Sequence, residues 1–126
     1  MADILIVDDD DHMRILIKMV LTRRGHRVSE ASDGTEALTR FDAKSADVVV
    51  TDLVMPGTGG VALLHALRQK ATPPKVLMVS GKEYPGDEDL TRLAAEGCIA
   101  FLGKPFTPNQ LAERVRTALD TAAGPA

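Results

Sequence analysis

Three short apolar runs stand out along the chain: Ile4 to Val7, Val48 to Val50 and Val76 to Val79. Each is rich in β-branched side chains and none alternates with polar residues. That is the pattern of a strand covered on both faces. Two weaker runs, Arg27 to Ala31 and Ala100 to Leu102, complete the set. The first mixes polar and apolar residues, as an edge strand does. Helical periodicity fills the gaps. Met13, Leu16, Ile17, Val20 and Leu21 share one helical face, and that segment stops at Gly25. Ala37, Leu38 and Phe41 follow a cap at Asp33. Val61, Leu64 and Leu67 form a third stripe before Pro73-Pro74, and Leu90, Leu93 and Ala94 a fourth, closed by Gly97. The last helix opens with Thr107 as cap, Pro108 at the first helical position and Gln110 where a capping-box partner belongs. Its stripe is Leu111, Val115, Ala118 and Leu119.

Strand and helix therefore alternate from end to end. This order predicts a parallel sheet with helices on both faces and right-handed crossovers. The three fully apolar strands belong in the middle and the two mixed ones at the edges. The expected architecture is an α/β three-layer sandwich, a flavodoxin-like (βα)5 fold with sheet order 2-1-3-4-5. One domain is expected over residues 1–121, with a frayed tail over 122–126.

Composition narrows the function. A chain of 126 residues, 44% hydrophobic, suits one domain with one real core. Fifteen basic and 18 acidic residues give a net charge of −3, and there are only three Phe and one Tyr. No basic, aromatic surface for nucleic acid emerges. A single cysteine, Cys98, permits no intramolecular disulfide, which fits a reducing cytoplasm. Cys98 itself reads as a small core hydrophobe. No apolar run reaches the length of a membrane span, and no signal-peptide pattern opens the chain.

In a sheet of this order, ligands bind beyond the carboxyl ends of the strands, at the switch point between the first and third. Asp8 and Asp9 follow the first strand, Asp52 the third, Ser80 the fourth and Lys104 the fifth. Three carboxylates at one point repel; two unit charges about 4 Å apart cost roughly 4 kcal/mol at an effective dielectric of 20. A hard divalent cation with oxygen ligands, Mg²⁺ above all, relieves this. A carboxylate beside such a cation can attack phosphorus and form an acyl phosphate. Lys104 and the Ser80 hydroxyl suit the new phosphoryl oxygens. His12, His26 and His65 lack zinc spacing, and no nucleotide-binding glycine motif is present. Asp10 and Asp11 start the first helix, where one can cap it and both are favoured by the helix dipole. Arg14, Arg23 and Arg24 read as solvated, and His12 as a surface residue at the helix start.

The segments "IVDD", "TDLVMPGTGG", the serine closing "VLMVSG" and "GCIAFLGKPF" resemble the motifs of response-regulator receiver domains, over essentially the whole chain. The resemblance implies a phosphoacceptor in two-component signalling, with Asp52 phosphorylated by a sensor histidine kinase or phosphotransfer protein. It implies Mg²⁺ held by Asp9 directly, by Asp8 mainly through water, by Asp52, and by the backbone carbonyl of Val54. Ser80 and Lys104 would bind the phosphoryl group, and Phe101 would be the aromatic switch coupled to Ser80. It further implies a cis Lys104–Pro105 peptide, a cytoplasmic monomer or weak dimer, and a downstream protein target. Neither nucleic acid nor membrane would be a direct partner. Such a domain is no enzyme beyond catalysing its own phosphorylation and dephosphorylation.

Some positions depart from the family's commonest pattern. Gly81 stands for a usual alanine, Ser80 for threonine and Gly59 for a frequent aspartate, and the loop after Ser80 is longer than usual. Val54 and Lys82 flank the expected site of the attacking water; Val54 offers nothing to orient it, so slow self-dephosphorylation is expected. Plainer readings compete. Asp52 could cap its loop, Ser80 could bond its own loop, Lys104 could be a surface lysine, and Phe101 could be simple core packing. "ILIVDDDDH" also fits a haloacid-dehalogenase-type phosphatase, with Asp8 as nucleophile and Asp10 as acid/base. That alternative leaves Asp52 unexplained, and only Glu113 and Asp120 remain after Lys104 to hold its metal. A receiver that has lost phosphorylation and serves only as an interaction module is a third reading; the intact acids and Lys104 oppose it.

Overall fold

The computed structural model describes residues 2–52, 59–80 and 99–120. Among them, five strands form one parallel sheet in the order β2-β1-β3-β4-β5. These are β1 (Asp3–Val7), β2 (Arg27–Ala31), β3 (Val48–Asp52), β4 (Lys75–Ser80) and β5 (Ile99–Gly103). The helices are α1 (Asp11–Arg23), α2 (Gly34–Ala43), α3 (Gly60–Arg68) and α4 (Pro108–Asp120). The stripe at Leu90, Leu93 and Ala94, with Gly81, Lys82, Cys98 and the tail from residue 122, lies outside the described residues. Helix α4 is thus the last of the expected helices.

Alternation along the strands divides the core in two. Leu5, Val7, Val49, Val76 and Met78 pack with Ala37 and Phe41 of α2 and Leu63, Leu64 and Leu67 of α3. Their neighbours Ile4, Ile6, Val48, Val50, Leu77, Val79 and Leu102 face Ile17, Val20 and Leu21 of α1 and Leu111, Ala112 and Val115 of α4. Burial on both faces explains why the central strands are apolar over Ile4 to Val7, Val48 to Val50 and Val76 to Val79, with polar residues confined to their ends. Each buried leucine or isoleucine contributes about 1.5–3 kcal/mol relative to exposure.

Capping fixes the helix ends. The Asp10 carboxylate accepts from the His12 and Met13 N–H groups and starts α1. Asp33 caps α2 by accepting from Glu36 N–H at 2.8 Å. Thr107 and Gln110 make the reciprocal capping box of α4, at 2.8 and 3.1 Å. Helix α1 ends in a Schellman motif: Gly25 N–H donates to the Thr22 carbonyl and His26 N–H to that of Leu21. Gly25 has φ +88°, a conformation that favours glycine there.

Two helix positions differ from the sequence reading. Leu16 is 42% exposed, and its neighbours Ile15 and Met19 are exposed as well. The buried face of α1 centres on Ile17, Val20 and Leu21, and Leu16 lies about 100° around the helix from Ile17. Leu63 is fully buried although the expected stripe omitted it. No helix among the described residues is long and apolar enough to cross a membrane.

Candidate functional site

Parallel pairing brings the acids together. The last β1–β3 pair is Val7 with Thr51, so Asp8 and Asp52 come next on adjacent strands. The last β4–β5 pair is Ser80 with Gly103, which sets Ser80 and Lys104 on the same edge of the sheet. Register and strand length, both set by the apolar runs, therefore bring these residues to one end of the sheet.

Asp8 is 1% exposed. Its backbone N–H donates to the Ala31 carbonyl at 3.2 Å, and its Oδ1 accepts from Asp10 N–H at 2.9 Å. Its Oδ2 has no hydrogen-bond partner among the described residues. The Lys104 ammonium lies 3.7 Å from that oxygen, beyond hydrogen-bond length, and 3.2 Å from Asp52 Oδ2. Burial pushes the Asp8 carboxyl above its ordinary pKa; the charges of Asp52 and Asp9 add to this, while the Asp10 N–H and Lys104 oppose it. Asp9 is exposed at the mouth of the site. Asp8, Asp9 and Asp52 each present an oxygen, all within 4.8 Å of one another.

These residues fit a hard divalent cation. The donors are all carboxylate oxygens, one buried oxygen lacks a hydrogen-bond partner among the described residues, and Asp9 leaves the site open to solvent for bound waters. Among the described residues, no other group of His, Cys, Asp and Glu side chains converges in this way. Lys104 partly offsets the negative charge of the acid pair. Val54 lies outside the described residues.

Phe101 lies on β5, half-buried, and packs against the α2–α3 side of the core, on the same face as Met78. The Arg114 guanidinium donates to its carbonyl oxygen. The Lys104–Pro105 peptide is cis, as the resemblance implied. His12 and Arg23 are exposed as expected.

Arg14 is a correction: its side chain is only 17% exposed. Its guanidinium donates to the Asp8 carbonyl at 2.8 Å, Asp11 Oδ1 at 2.5 Å and Glu30 Oε1 at 3.3 Å. The i,i+3 spacing from Asp11 was a visible signal for one of these contacts. The reach to Glu30 on β2 and to the Asp8 carbonyl depends on the packing of α1 and could not be read from spacing.

A model of the response regulator receiver domain matches residues 4–116. The chain is 32% identical over 121 residues to the transcriptional regulatory protein ResD of Bacillus subtilis, covering 94% of this chain and 48% of that one. It is 38% identical over 121 residues to the sensor kinase CckA of Brucella abortus, covering 94% of this chain and 13% of the kinase. Thus it spans half or less of these curated relatives. The crystallised chemotaxis response regulator CheY4 of Vibrio cholerae superposes with a TM-score of 0.82 at 30% identity, over 94% of this chain and 99% of CheY4. Nothing among these relatives supports the dehalogenase-type alternative, and Asp10, its acid/base, is committed to capping α1. The relatives bear out a phosphoacceptor domain, a signalling module and not a conventional enzyme. This chain belongs to the response regulator receiver domain family.

Proposed function

We propose that Asp52 accepts a phosphoryl group from the phosphohistidine of a sensor histidine kinase or phosphotransfer protein. The observation that carries the assignment is the convergence of Asp8, Asp9 and Asp52, with Lys104 bridging toward Asp52 and Asp8. An Asp52 carboxylate oxygen attacks phosphorus, the P–N bond breaks, and the histidine nitrogen leaves with the electron pair. The product is an aspartyl phosphate.

Asp8, Asp9, Asp52 and the carbonyl of Val54 would hold Mg²⁺, which when bound neutralises charge on the acids and the transferring group. Asp9, the exposed acid, is suited to direct coordination, and the buried Asp8 to action through water. Lys104 moves from carboxylate partner to partner of the phosphoryl oxygens, a charge-assisted contact. The Ser80 hydroxyl supplies a further donor, and Phe101 follows it in a switch of the β5–α4 surface that a downstream protein reads. The domain catalyses only its own phosphorylation and a slow dephosphorylation. Residues 1–121 form the receiver and 122–126 a tail. It works in the cytoplasm as a monomer or weak dimer, with neither nucleic acid nor membrane as a direct partner.

The test is intact-mass measurement after incubation with a small-molecule phosphodonor and Mg²⁺. Wild type gains one phosphate and Asp52→Asn gains none. An equal gain in both overturns the assignment.

A further inference from the structure

We infer that Arg14 is a positioning residue for the acid site, acting on the peptide that joins Asp8 to Asp9. The inference rests on the proposed metal role of those two acids. Three groups of Asp8 are already tied. Its N–H is held by the Ala31 carbonyl and its Oδ1 by the Asp10 N–H, while its own carbonyl receives the Arg14 guanidinium at 2.8 Å. That carbonyl lies in the same peptide plane as the Asp9 N–H. Fixing it fixes the Asp9 N–Cα bond, from whose Cα the Asp9 side chain branches, and leaves only the rotation about that bond to aim it.

The guanidinium is itself held on two further sides. Asp11 Oδ1 lies 2.5 Å from Nη2 on the same helix, and Glu30 Oε1 lies 3.3 Å from Nε on the edge strand. Glu30 is anchored in turn by the Lys18 ammonium at 3.0 Å. A planar fork with fixed donor directions can satisfy three acceptors on three different segments. With the side chain 17% exposed, these contacts are partly shielded from water. Arg14 thus joins α1, β2 and the Asp8–Asp9 turn. It supports the metal ligands without touching the metal, in the way outer-shell partners orient ligating groups.

Charge and position predict opposite outcomes. If Arg14 acted only as a nearby cation, its removal would lessen repulsion and tighten Mg²⁺ binding. If it positions Asp9, its removal weakens binding. Mg²⁺ affinity is to be measured by calorimetric titration on the folded chain. Arg14→Met, which keeps an apolar stem, raises Kd about tenfold. Arg14→Lys keeps the charge but has one donor centre for three separated acceptors, and raises Kd by a smaller factor; it carries the test if Arg14→Met does not fold. Arg23→Met removes an exposed cation of the same helix that lies outside this network, and leaves Kd unchanged. In metal-free protein, exchange of the Asp9 amide hydrogen accelerates in Arg14→Met and not in Arg23→Met. An unchanged or lower Kd in either folded Arg14 variant overturns the inference. Equal Mg²⁺ affinity in wild type and Asp9→Asn would instead overturn the acid-site reading, and this inference with it.

Discussion

Strand β1 has an aspartate at each end, and the fold treats the two in opposite ways. Asp3, at the amino end, is held by the fork of Arg27 at 2.8 and 3.1 Å and faces Lys44 at 3.5 Å. The hydrogen bond from Arg27 keeps its carboxyl below the ordinary pKa. Asp8, just beyond the carboxyl end, is buried against Asp52 and Asp9 and keeps one oxygen without a hydrogen bond among the described residues. Its pKa moves up, chiefly through burial. At one end the charges are matched; at the other, like charges are assembled and only partly offset by Lys104. Stability alone would favour matching both ends. Local rules of this kind are broken where a site needs them broken, and the mismatch at Asp8 is what a cation and a phosphoryl group would relieve.

The largest contrast between the two ends is expected in cation binding. Asp9→Asn removes a ligand and raises the Mg²⁺ Kd by about a hundredfold or more, since even outer-shell losses reach that size. Asp3→Asn leaves it unchanged. Calorimetric titration checks both, and a comparable loss in Asp3→Asn would erase the distinction.

Stability without metal gives a smaller contrast, but one of sign. Asp8→Asn removes a buried charge that repels its neighbours and raises the melting temperature by about 3 °C, near 1 kcal/mol for a chain of this size. Asp3→Asn loses a carboxylate matched by Arg27 and lowers the melting temperature. Thermal melts in chelator measure the pair; shifts of the same sign would show that the two ends are not different in kind.

The smallest effect concerns pH at the matched end. The Ala2 N–H donates to His26 Nδ1 at 3.3 Å, and burial holds the His26 pKa below its ordinary value. The unfolded chain therefore takes up this proton first. The His26 contribution is whole above about pH 6.5 and is lost as the pH falls through the lower folded-state value. The melting-temperature difference between wild type and His26→Gln shrinks on acidification over that window. A difference that grows instead would reverse the assignment.

Much of this was legible in the sequence because strand length and burial leave a direct trace. The three apolar runs located the central strands, and their ends located Asp8, Asp9, Asp52 and Ser80; the weaker run Ala100 to Leu102 located Lys104. The caps at Asp33 and Thr107 were readable, and that of α1 was narrowed to Asp10 or Asp11, because N-terminal capping is local chemistry. Leu16 and Leu63 were misjudged because the phase of a helix depends on what it packs against. Arg14 was misread for the same reason: its partners Glu30 and the Asp8 carbonyl lie on other segments. The geometry between Lys104 and the two acids required the assembled sheet, although the convergence itself did not. Val54 lies outside the described residues, so its share in the site stays a proposal.

The most direct test of the contrast is the melting temperature with and without Mg²⁺. A bound cation stabilises by mass action, about 2.7 kcal/mol when its concentration is a hundred times Kd. Mg²⁺ is predicted to raise the melting temperature of wild type and of Asp3→Asn, and to leave that of Asp9→Asn nearly unmoved. No shift in wild type, or an equal shift in Asp9→Asn, would contradict a cation site at the carboxyl end of β1.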